Sequence, residues 1–405
     1  MNSQLLSSPV RLFASAQSWT EGEAVRQLYA TAKLDGVRLT VGFPDLHPGK
    51  GSPVGAAFVT EGLIYPHLIG GDIGCGMALF KTDLLRRKAR LDRWASLSFD
   101  LEYPWDGDVR EYLTAHRLHT TSFDDALGTI GGGNHFAELQ AVEKIFDAGE
   151  FEALGLGKDQ LVVLVHSGSR GLGEATLRAH VDEHHAAGVP SDSEAADTYL
   201  GGHDFAVRWA KANRELIARR FVATLGAATE CLWDGCHNSI TSSSRSSRCE
   251  SAPSSVWHEW SGLTSAATRL IKTSRDDTWI HRKGAVEASG GIVVIPGSRG
   301  TLSYLVKPDG DGESHAWSLA HGAGRKWSRS DARQRMRERF DVSELVQTPL
   351  GGRVICEPRD LLYEEAPAAY KDIEAVIGDL VDAGLVSVVA TLRPLLTYKT
   401  RKQRR

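Results

Sequence analysis

Short apolar runs that end in glycine-rich turns recur along this chain, and they predict strands that deliver polar loops. Residues 161–165 are apolar and mostly β-branched, which predicts a buried strand ending at His166. Residues 291–295 repeat this design and lead into a Pro-Gly-Ser-Arg-Gly turn. Both strands are followed by Ser and Arg side chains, so we expect these groups to face one anion. Ordinary turn chemistry is the alternative for either loop.

Elsewhere the hydrophobic pattern predicts a further strand and two helices. Residues 37–43 are typical of a strand, and residues 44–53 of a loop that holds Asp45. Loops that follow strands often carry sites, so this loop is a candidate. Helical periodicity is clearest at residues 206–224 and 368–383, and we expect both helices to cover the outside of the fold.

The segment at residues 239–278 fits neither pattern. Residues 241–255 within it are rich in Ser and Arg, and the segment has no steady period. We interpret it as an atypical insertion, either disordered or the product of a shifted and restored reading frame. The candidate motifs run from Asp45 to Lys399 and must converge, so residues 1–400 are expected to form one large unit, followed by a basic tail at 401–405.

Composition narrows the class of protein. The 405 residues carry a net charge of -4, so any binding of nucleic acid must be local. Five cysteines without paired spacing favour a reducing compartment. The first 20 residues do not resemble a secretory signal, and no run approaches the roughly 18 apolar residues of a membrane span. We therefore expect a cytoplasmic protein that does not enter membranes.

A candidate metal site is distributed over several glycine-rich runs. Asp72 and Cys75 place a carboxylate and a thiol on one short turn, and His135 follows three glycines and an asparagine. His166 and His237 complete five candidate ligands, enough for two cations if the thiolate bridges them. Imidazole and thiolate alone would favour zinc, so this chemistry leaves the metal open. The alternative for each histidine is a structural role in the core.

His321 is a candidate nucleophile. Small residues flank it and Arg325 follows, an arrangement that suits attack on a phosphorus centre. The alternative is a histidine in a tight turn at a helix N-terminus. The common glycine-rich nucleotide-binding motifs are not present in a suitable context. His180, His184 and His185 are interpreted as solvated helix surface.

Taken in order, these motifs resemble the RtcB family of RNA ligases over nearly the whole chain. Seven ordered runs are hard to obtain by chance, and they lie at residues 44–49, 72–77, 132–136, 166–171, 282–285, 296–298 and 321–325. The runs at 46–53 and 65–71 further resemble the subgroup coupled to release factor H. The resemblance implies a single α+β catalytic domain, with mixed or antiparallel sheets around a deep metal-containing cleft and peripheral helices.

By the same resemblance, the reaction joins RNA with a 3′-phosphate or 2′,3′-cyclic phosphate to RNA with a 5′-hydroxyl, using GTP and two manganese ions. It proceeds through a guanylylated histidine and an RNA end activated with GMP. It would serve RNA repair, with a functional link to a release-factor-H-like protein. The implied manganese ligands are Asp72, Cys75, His135, His166 and His237, with Cys75 bridging.

The resemblance also assigns roles to the remaining candidates. His321 would accept GMP, and Asp45 would transfer a proton near the 5′-hydroxyl. Arg170 would contact phosphates. Contacts to the guanine nucleotide would come from Asn134, Glu138, Ser298 and Lys399.

Two other functions remain open from sequence. One is a metal-dependent phosphoesterase that uses no nucleotide. The other is an inactive homologue that only binds RNA, which the Ser/Arg-rich segment raises. That segment adjoins His237, so the geometry of this ligand depends on how the segment is accommodated.

Overall fold

The computed structural model describes residues 9–242 and 277–401. Its α-helices are α1 (Gly22–Thr31), α2 (Leu91–Ala95), α3 (Val109–Ala115), α4 (Ala148–Ala153), α5 (Gly171–His184), α6 (Glu194–Thr224), α7 (Arg329–Arg339), α8 (Val342–Val346), α9 (Arg359–Glu364) and α10 (Ile373–Asp382). Short 3-10 helices span Pro66–Leu68, Arg86–Lys88, Asp124–Ala126, Glu313–His315 and Pro367–Ala369. The strands are β1 (Val10–Leu12), β2 (Val37–His47), β3 (Val54–Glu61), β4 (Leu63–Ile64), β5 (Gly76–Leu85), β6 (Phe136–Ile145), β7 (Gln160–Ser167), β8 (Val189–Pro190), β9 (Thr229–Cys236), β10 (Asn238–Ser242), β11 (Thr278–Lys283), β12 (Ala285–Glu287), β13 (Val293–Ile295), β14 (Ser303–Pro308), β15 (Ser318–Ala320), β16 (Arg353–Cys356) and β17 (Val386–Thr400).

Two sheets make up most of the fold. The larger has the strand order β13-β14-β17-β6-β7-β5-β9, with β16 pairing alongside β17. Neighbours along this path are antiparallel, whereas β16 is parallel to β17. The second sheet has the order β1-β2-β3-β11-β10. Mixed, mainly antiparallel sheets with helices around them confirm the predicted α+β class.

Strand β7 shows why continuous apolar runs lie at the centre of the larger sheet. Val163 and Val165 pack on one face together with Phe221 of α6. Val162 and Leu164 pack on the opposite face. Because side chains alternate along a strand, a strand that is buried on both faces must be apolar at successive positions. The strand predicted here is confirmed.

Helix α6 covers the outside of this sheet, as predicted, and buries one of its faces against it. Arg214 of this helix is fully buried and binds the Asp234 carboxylate at 2.6 and 2.9 Å. It also donates to the backbone carbonyls of Gly74 and Ser167. A desolvated guanidinium needs partners on every side, and these partners lie on or beside strands of the sheet. Arg214 therefore fixes α6 to the sheet edge.

Strand β2 continues further than the sequence pattern predicts. The loop expected at 44–53 begins later, because β2 includes Asp45 and ends at His47. Pro44 has no N–H, and the pairing of β2 with β3 shifts register in this region. Because of this irregularity, the alternation of apolar and polar residues does not reveal that the strand continues. Asp45 is consequently held in a strand and is fully buried.

The predicted insertion at 239–278 lies mostly outside the described residues. Its first four residues belong to β10 and its last residue to β11. These two strands pair antiparallel, and Ile240 and Ile280 are buried between neighbouring elements. The described ends of the segment are thus part of the second sheet. Residues 402–405 of the predicted tail also lie outside the described range.

The other helices pack around the sheets. Helix α10 buries Ile373, Val376 and Leu380 in a core shared with β14 and β17, and it starts later than predicted. None of the helices in the described ranges is both long and apolar enough to cross a membrane.

Helix α5 corrects the interpretation of its histidines. His180 is only 8% exposed, and its ring lies 5.2 Å from that of Tyr199 on α6. His184 is half-buried and His185 is exposed. The prediction of solvated surface is therefore wrong for His180, because α5 packs this face against α6.

Candidate functional site

Strand ends bring the candidate metal ligands to one edge of the larger sheet. Cys75 immediately precedes β5, and His135 immediately precedes β6. His166 lies near the end of β7, and His237 immediately follows β9. In antiparallel pairs the start of one strand lies beside the end of the next, as in the pairing of β5 with β7 and β9 and of β6 with β7. Residues far apart in sequence therefore meet at one place.

Cys75 lies at the centre of this group. Its Sγ is 3.3 Å from Nε2 of His166 and 3.5 Å from Nε2 of His135. The Nε2 atom of His135 is also 3.1 Å from Oδ2 of Asp72. The rings of His166 and His237 lie 5.2 Å apart. The structure thus brings all five candidate ligands together, and donor atoms of Cys75, His135 and His166 lie within 4.8 Å of one another.

Burial controls the charge of this cluster. It raises the pKa of the Cys75 thiol well above its usual value and lowers the pKa values of His166 and His237 well below theirs. Burial also acts to raise the pKa of Asp72, but the hydrogen bond with His135 holds that pKa below its usual value. Without a metal, the protein therefore favours a neutral thiol at Cys75 and neutral rings at His166 and His237. Asp72 beside them is an ionised carboxylate.

This donor set fits a divalent cation. The Oδ1 atom of Asp72 is buried and has no hydrogen-bond partner in the described parts of the chain. Such an unpaired buried atom costs on the order of 1–3 kcal/mol, which a bound cation would offset. His166 donates from Nδ1 to the carbonyl of Asn134 at 3.2 Å, so its Nε2 lone pair is directed to the Cys75 side. A neutral imidazole held in this way is ready to bind a metal.

His321 lies beside this cluster, with its ring 4.8 Å from that of His237. Its Nδ1 is 2.6 Å from Oδ2 of Asp45, and the same oxygen accepts the backbone N–H of His321 at 3.1 Å. Since the carboxylate accepts from Nδ1, the Nε2 atom of His321 is left with its lone pair. Asp45 thus orients the ring of His321.

Two glycines let the backbone close around Asp45. A Cβ at Gly324 would lie 2.3 Å from the Asp45 carbonyl oxygen, and a Cβ at Gly55 would lie 2.8 Å from its Oδ1. Both glycines have positive φ, at 71° and 86° respectively. Any side chain at either position would displace Asp45 and hence the ring of His321. The glycine-rich motifs serve this close approach.

A cleft of about 390 Å³ joins these groups. Predicted ligands, the predicted nucleophile and predicted nucleotide contacts share its wall, namely Asp72, Cys75, Asn134, Glu138, His166, His237, Ser298, His321 and Lys399. Asp45, His135 and Arg170 are not among its described lining residues. Asp45 and His135 lie instead behind His321 and beside Asp72, where they support the lining groups.

This geometry is accompanied by a match to a known family. The family model described as tRNA-splicing ligase RtcB matches residues 27–110 and 106–400. The chain belongs to the RtcB family. The resemblance predicted from the ordered motifs is confirmed.

Individual RtcB relatives match over nearly their whole lengths. The RNA-splicing ligase RtcB2 of Escherichia coli strain ATCC 25922 is 42% identical over 394 residues, covering 97% of this chain and 96% of the relative. The RNA-splicing ligase RtcB of Escherichia coli K12 is 28% identical over 450 residues, covering 98% and 100%. The tRNA-splicing ligase RtcB of Thermococcus kodakarensis is 27% identical over 477 residues, covering 96% and 94%. The similarity therefore includes both sheets and every cleft-lining run.

One end of this RtcB-family cleft contains a buried charge network. Lys399 Nζ lies 3.7 Å from Glu365, and Arg325 lies 3.0 Å from the same carboxylate. Burial acts to raise the pKa of Glu365, but Lys399 and Arg325 lower it to about 2. The Tyr370 hydroxyl also donates to Glu365. No sequence motif marks Glu365 or Tyr370, which line the cleft because the segment after α9 pairs with residues 324–326 through backbone hydrogen bonds.

Glu138 is a buried carboxyl group at the same RtcB-family cleft. It accepts hydrogen bonds from Gln140 at 2.6 Å and from Thr397 at 2.5 Å. Burial nevertheless raises its pKa to about 7. Near neutral pH this group is therefore present both as a hydrogen-bond donor and as an acceptor.

The two Ser-Arg turns of this RtcB chain use most of their polar groups to hold neighbouring structure. Arg170 lies 3.3 Å from Nδ1 of His135, and Ser169 donates to a backbone carbonyl. In the second turn Ser298 lines the cleft, while Arg299 donates to a backbone carbonyl of α9. Three of these four groups hold neighbouring structure here, and a shared anion stays a prediction.

Proposed function

We propose that this protein is a GTP-dependent RNA ligase that joins a 3′-phosphate or 2′,3′-cyclic phosphate end to a 5′-hydroxyl end. Membership of the RtcB family supports RNA ligation. The 2.6 Å contact between His321 and Asp45, beside a cluster of metal-binding donors, carries the proposal. A hydrolase that uses only metal-activated water has no need of a ring oriented in this way.

The cluster is proposed to hold two manganese ions. Their ligands would be Asp72, Cys75, His135, His166 and His237. Bound there, the ions would supply positive charge that neutralises phosphate oxygens during the reaction. Coordination through Nε2 of His135 would place its proton on Nδ1, so Arg170 would lose its acceptor and become available to a phosphate.

His321 is proposed to take GMP from GTP. Because Asp45 accepts from Nδ1, the Nε2 lone pair of His321 can attack without prior removal of a proton. A bond forms between Nε2 and the α-phosphorus of GTP, and the bond from that phosphorus to the pyrophosphate oxygen breaks. Asp45 stabilises the positive charge that develops on the ring.

The guanylyl group is then proposed to pass to RNA. An oxygen of the RNA 3′-phosphate attacks the phosphorus carried by His321, and the nitrogen–phosphorus bond breaks. The 5′-hydroxyl of the second strand next attacks the activated 3′-phosphorus, and GMP leaves. A phosphate monoester is a poor electrophile without this activation, which explains the need for a nucleotide. A 2′,3′-cyclic end would first be hydrolysed to a 3′-phosphate.

Four cleft residues are proposed to contact the nucleotide, and their positions support this role. Asn134, Glu138, Ser298 and Lys399 line the same cleft as His321. Glu138 can accept from or donate to a guanine edge, since its pKa is about 7. Lys399 adds a buried cation to the cleft wall.

Labelled GTP tests the proposed function. Wild-type protein incubated with α-labelled GTP and manganese should retain acid-labile label, and His321→Ala should retain none and ligate no RNA. An unlabelled wild type that still hydrolyses phosphate esters, unaffected by His321→Ala, would indicate the phosphoesterase. RNA binding without bound metal or label would indicate the inactive homologue.

We also infer a cytoplasmic role in RNA repair, with a functional link to a release-factor-H-like protein. The runs at 46–53 and 65–71 support this subgroup assignment. Affinity capture of the tagged protein from cells should recover such a partner or the RNA that it acts on. Recovery from a membrane or secreted fraction would contradict the cytoplasmic assignment.

A further inference from the structure

We propose that His47 is the catalytic proton acceptor for the 5′-hydroxyl in the joining step, an assignment that rests on the proposed ligase function. The sequence pattern points first to Asp45 for this role. In the structure Asp45 is fully buried and bound to His321, so its carboxylate is not available to an RNA hydroxyl. His47 lies two residues further along the same strand and lines the cleft.

The position of His47 suits contact with a group attacking near His321. The two rings have centroids 6.4 Å apart and are inclined by only 24°. A phosphate bound next to His321 would therefore lie within reach of the edge of the His47 ring. Neither ring needs to leave the cleft wall.

A hydrogen bond fixes which nitrogen of His47 is free. Its Nδ1 lies 2.9 Å from the backbone carbonyl oxygen of Asp45. A carbonyl oxygen only accepts, so Nδ1 carries the proton and Nε2 is the acceptor. Burial also lowers the pKa of His47 to about 4, which keeps the ring neutral in the free protein. Phosphate charge entering the cleft would raise that pKa and strengthen the base.

For RNA that already carries a 3′-phosphate, only one nucleophile in the proposed reaction needs such an acceptor. His321 attacks through a nitrogen lone pair, and the RNA 3′-phosphate attacks through an oxygen that is already ionised. The 5′-hydroxyl, in contrast, must lose a proton as it attacks. A neutral acceptor nitrogen repels ionised phosphate oxygens but accepts a hydrogen bond from a hydroxyl. His47 is therefore suited to activate the 5′-hydroxyl, which is the third nucleophile of the reaction.

The joining step forms one bond, breaks one bond and moves one proton. The 5′ oxygen forms a bond to the activated 3′-phosphorus, and the bond from this phosphorus to the GMP oxygen breaks with its electron pair. The hydroxyl proton moves to Nε2 of His47. The imidazolium later returns this proton to solvent, and GMP departs as the ionised phosphate.

Separate measurement of the three steps tests this assignment. The substrates are α-labelled GTP, RNA with a 3′-phosphate, and a second RNA with a 5′-hydroxyl, which is added last. His47→Ala should transfer label to protein and then to the first RNA within about threefold of wild type. Joining should fall by about 100-fold or more, the range for loss of a general base, and capped RNA should accumulate. His47→Gln keeps volume and an acceptor without a base, and it should fold normally and show the same block.

The possible outcomes distinguish a failure of the His47 assignment from a failure of the proposed ligase function. If the wild type never labels His321, the proposed function fails and the role of His47 fails with it. If the wild type ligates and His47→Ala joins RNA at the same rate, His47 alone is overturned. Loss of the first labelling step in both His47 variants would also overturn it, since His47 would then support His321. His184→Ala, a half-buried histidine of α5 outside the cleft lining, is the matched control and should leave every step unchanged.

Discussion

At the scale of single residues, the candidate site depends on which atom of each side chain is already engaged. Asp45 is bound to His321, and His166 is bound through Nδ1 to a backbone carbonyl. These contacts occupy Nδ1 of His321 and Nδ1 of His166, and they leave the lone pair of each ring on Nε2. Residue type alone does not specify this, because a histidine has two chemically distinct nitrogens.

Asp45→Asn tests the orientation of His321. The amide keeps the volume of the carboxylate but no longer stabilises a positive ring, and it can bind the wrong tautomer. In a serine protease the analogous change lowers the rate by about 10⁴. We expect transfer of GMP from labelled GTP to fall by about 10²–10⁴, with thermal unfolding nearly unchanged. Asp35→Asn, an exposed carboxylate, is the control, and equal labelling by both variants would contradict the role of Asp45.

Glu138 predicts a pH dependence of stability. Folding raises its pKa from 4.5 to about 7, so its stabilising contribution is complete below pH 4.5 and is lost as pH rises through 7. At 1.36 kcal/mol per unit, the loss is at most about 3 kcal/mol. Relative to wild type, Glu138→Gln should therefore gain stability between pH 5 and pH 8 in urea unfolding. The exposed Glu152→Gln should show no such gain, and a pH-independent difference for Glu138→Gln would contradict the burial argument.

At the scale of elements, the attachment of α6 to the larger sheet supports the metal-ligand edge. Arg214 binds the carbonyls of Gly74 and Ser167, each of which neighbours a candidate ligand. The helix thereby holds the turn before β5 and the end of β7 in register. The site is positioned by a contact between two elements as well as by its own residues.

Arg214→Met should destabilise the protein strongly. It leaves the Asp234 carboxylate, only 14% exposed, without its cation, and two buried carbonyls without a donor. Breaking a buried pair on one side costs about 3–5 kcal/mol. Urea unfolding at neutral pH would measure this. Arg219→Met on the same helix removes a more exposed arginine paired with Glu215, so a change of about 1 kcal/mol or less is expected. Equal losses would show that the Arg214 network is not specific.

At the scale of the whole molecule, the site exists only when both sheets are complete. Ligands come from the ends of four strands of the larger sheet, while Asp45 and His47 come from the second. Cation binding should therefore stabilise the entire fold, because the unfolded chain has no such cluster.

Manganese should raise the thermal stability of the metal-free protein. At a concentration 100 times the dissociation constant, the expected gain is about 2.7 kcal/mol. Cys75→Ala removes the central donor, so its gain should be much smaller, and chelation should reverse the effect in wild type. Cys231→Ala changes an exposed thiol and should behave like wild type. An equal metal-dependent shift for Cys75→Ala would contradict the assigned cluster.

Particular residues show which structural features the sequence pattern could predict and which it could not. Strand β7 was predictable because five successive apolar residues leave little alternative for a strand buried on both faces. The end of β2 was not, because Pro44 interrupts the pattern while the sheet continues around it. His180 was misjudged for a similar reason, since its burial depends on α6, which lies about 20 residues away.

The sequence by itself determined the family, the α+β class and the side chains available for chemistry, because ordered glycine-rich motifs and apolar runs are local features of a chain. Tertiary structure alone decided which side chains meet: it placed Asp45 behind His321, put His47 on the cleft wall and added Glu365 and Tyr370 to that wall. Such decisions depend on strand register and on burial from distant elements, and no local window of the chain contains either quantity.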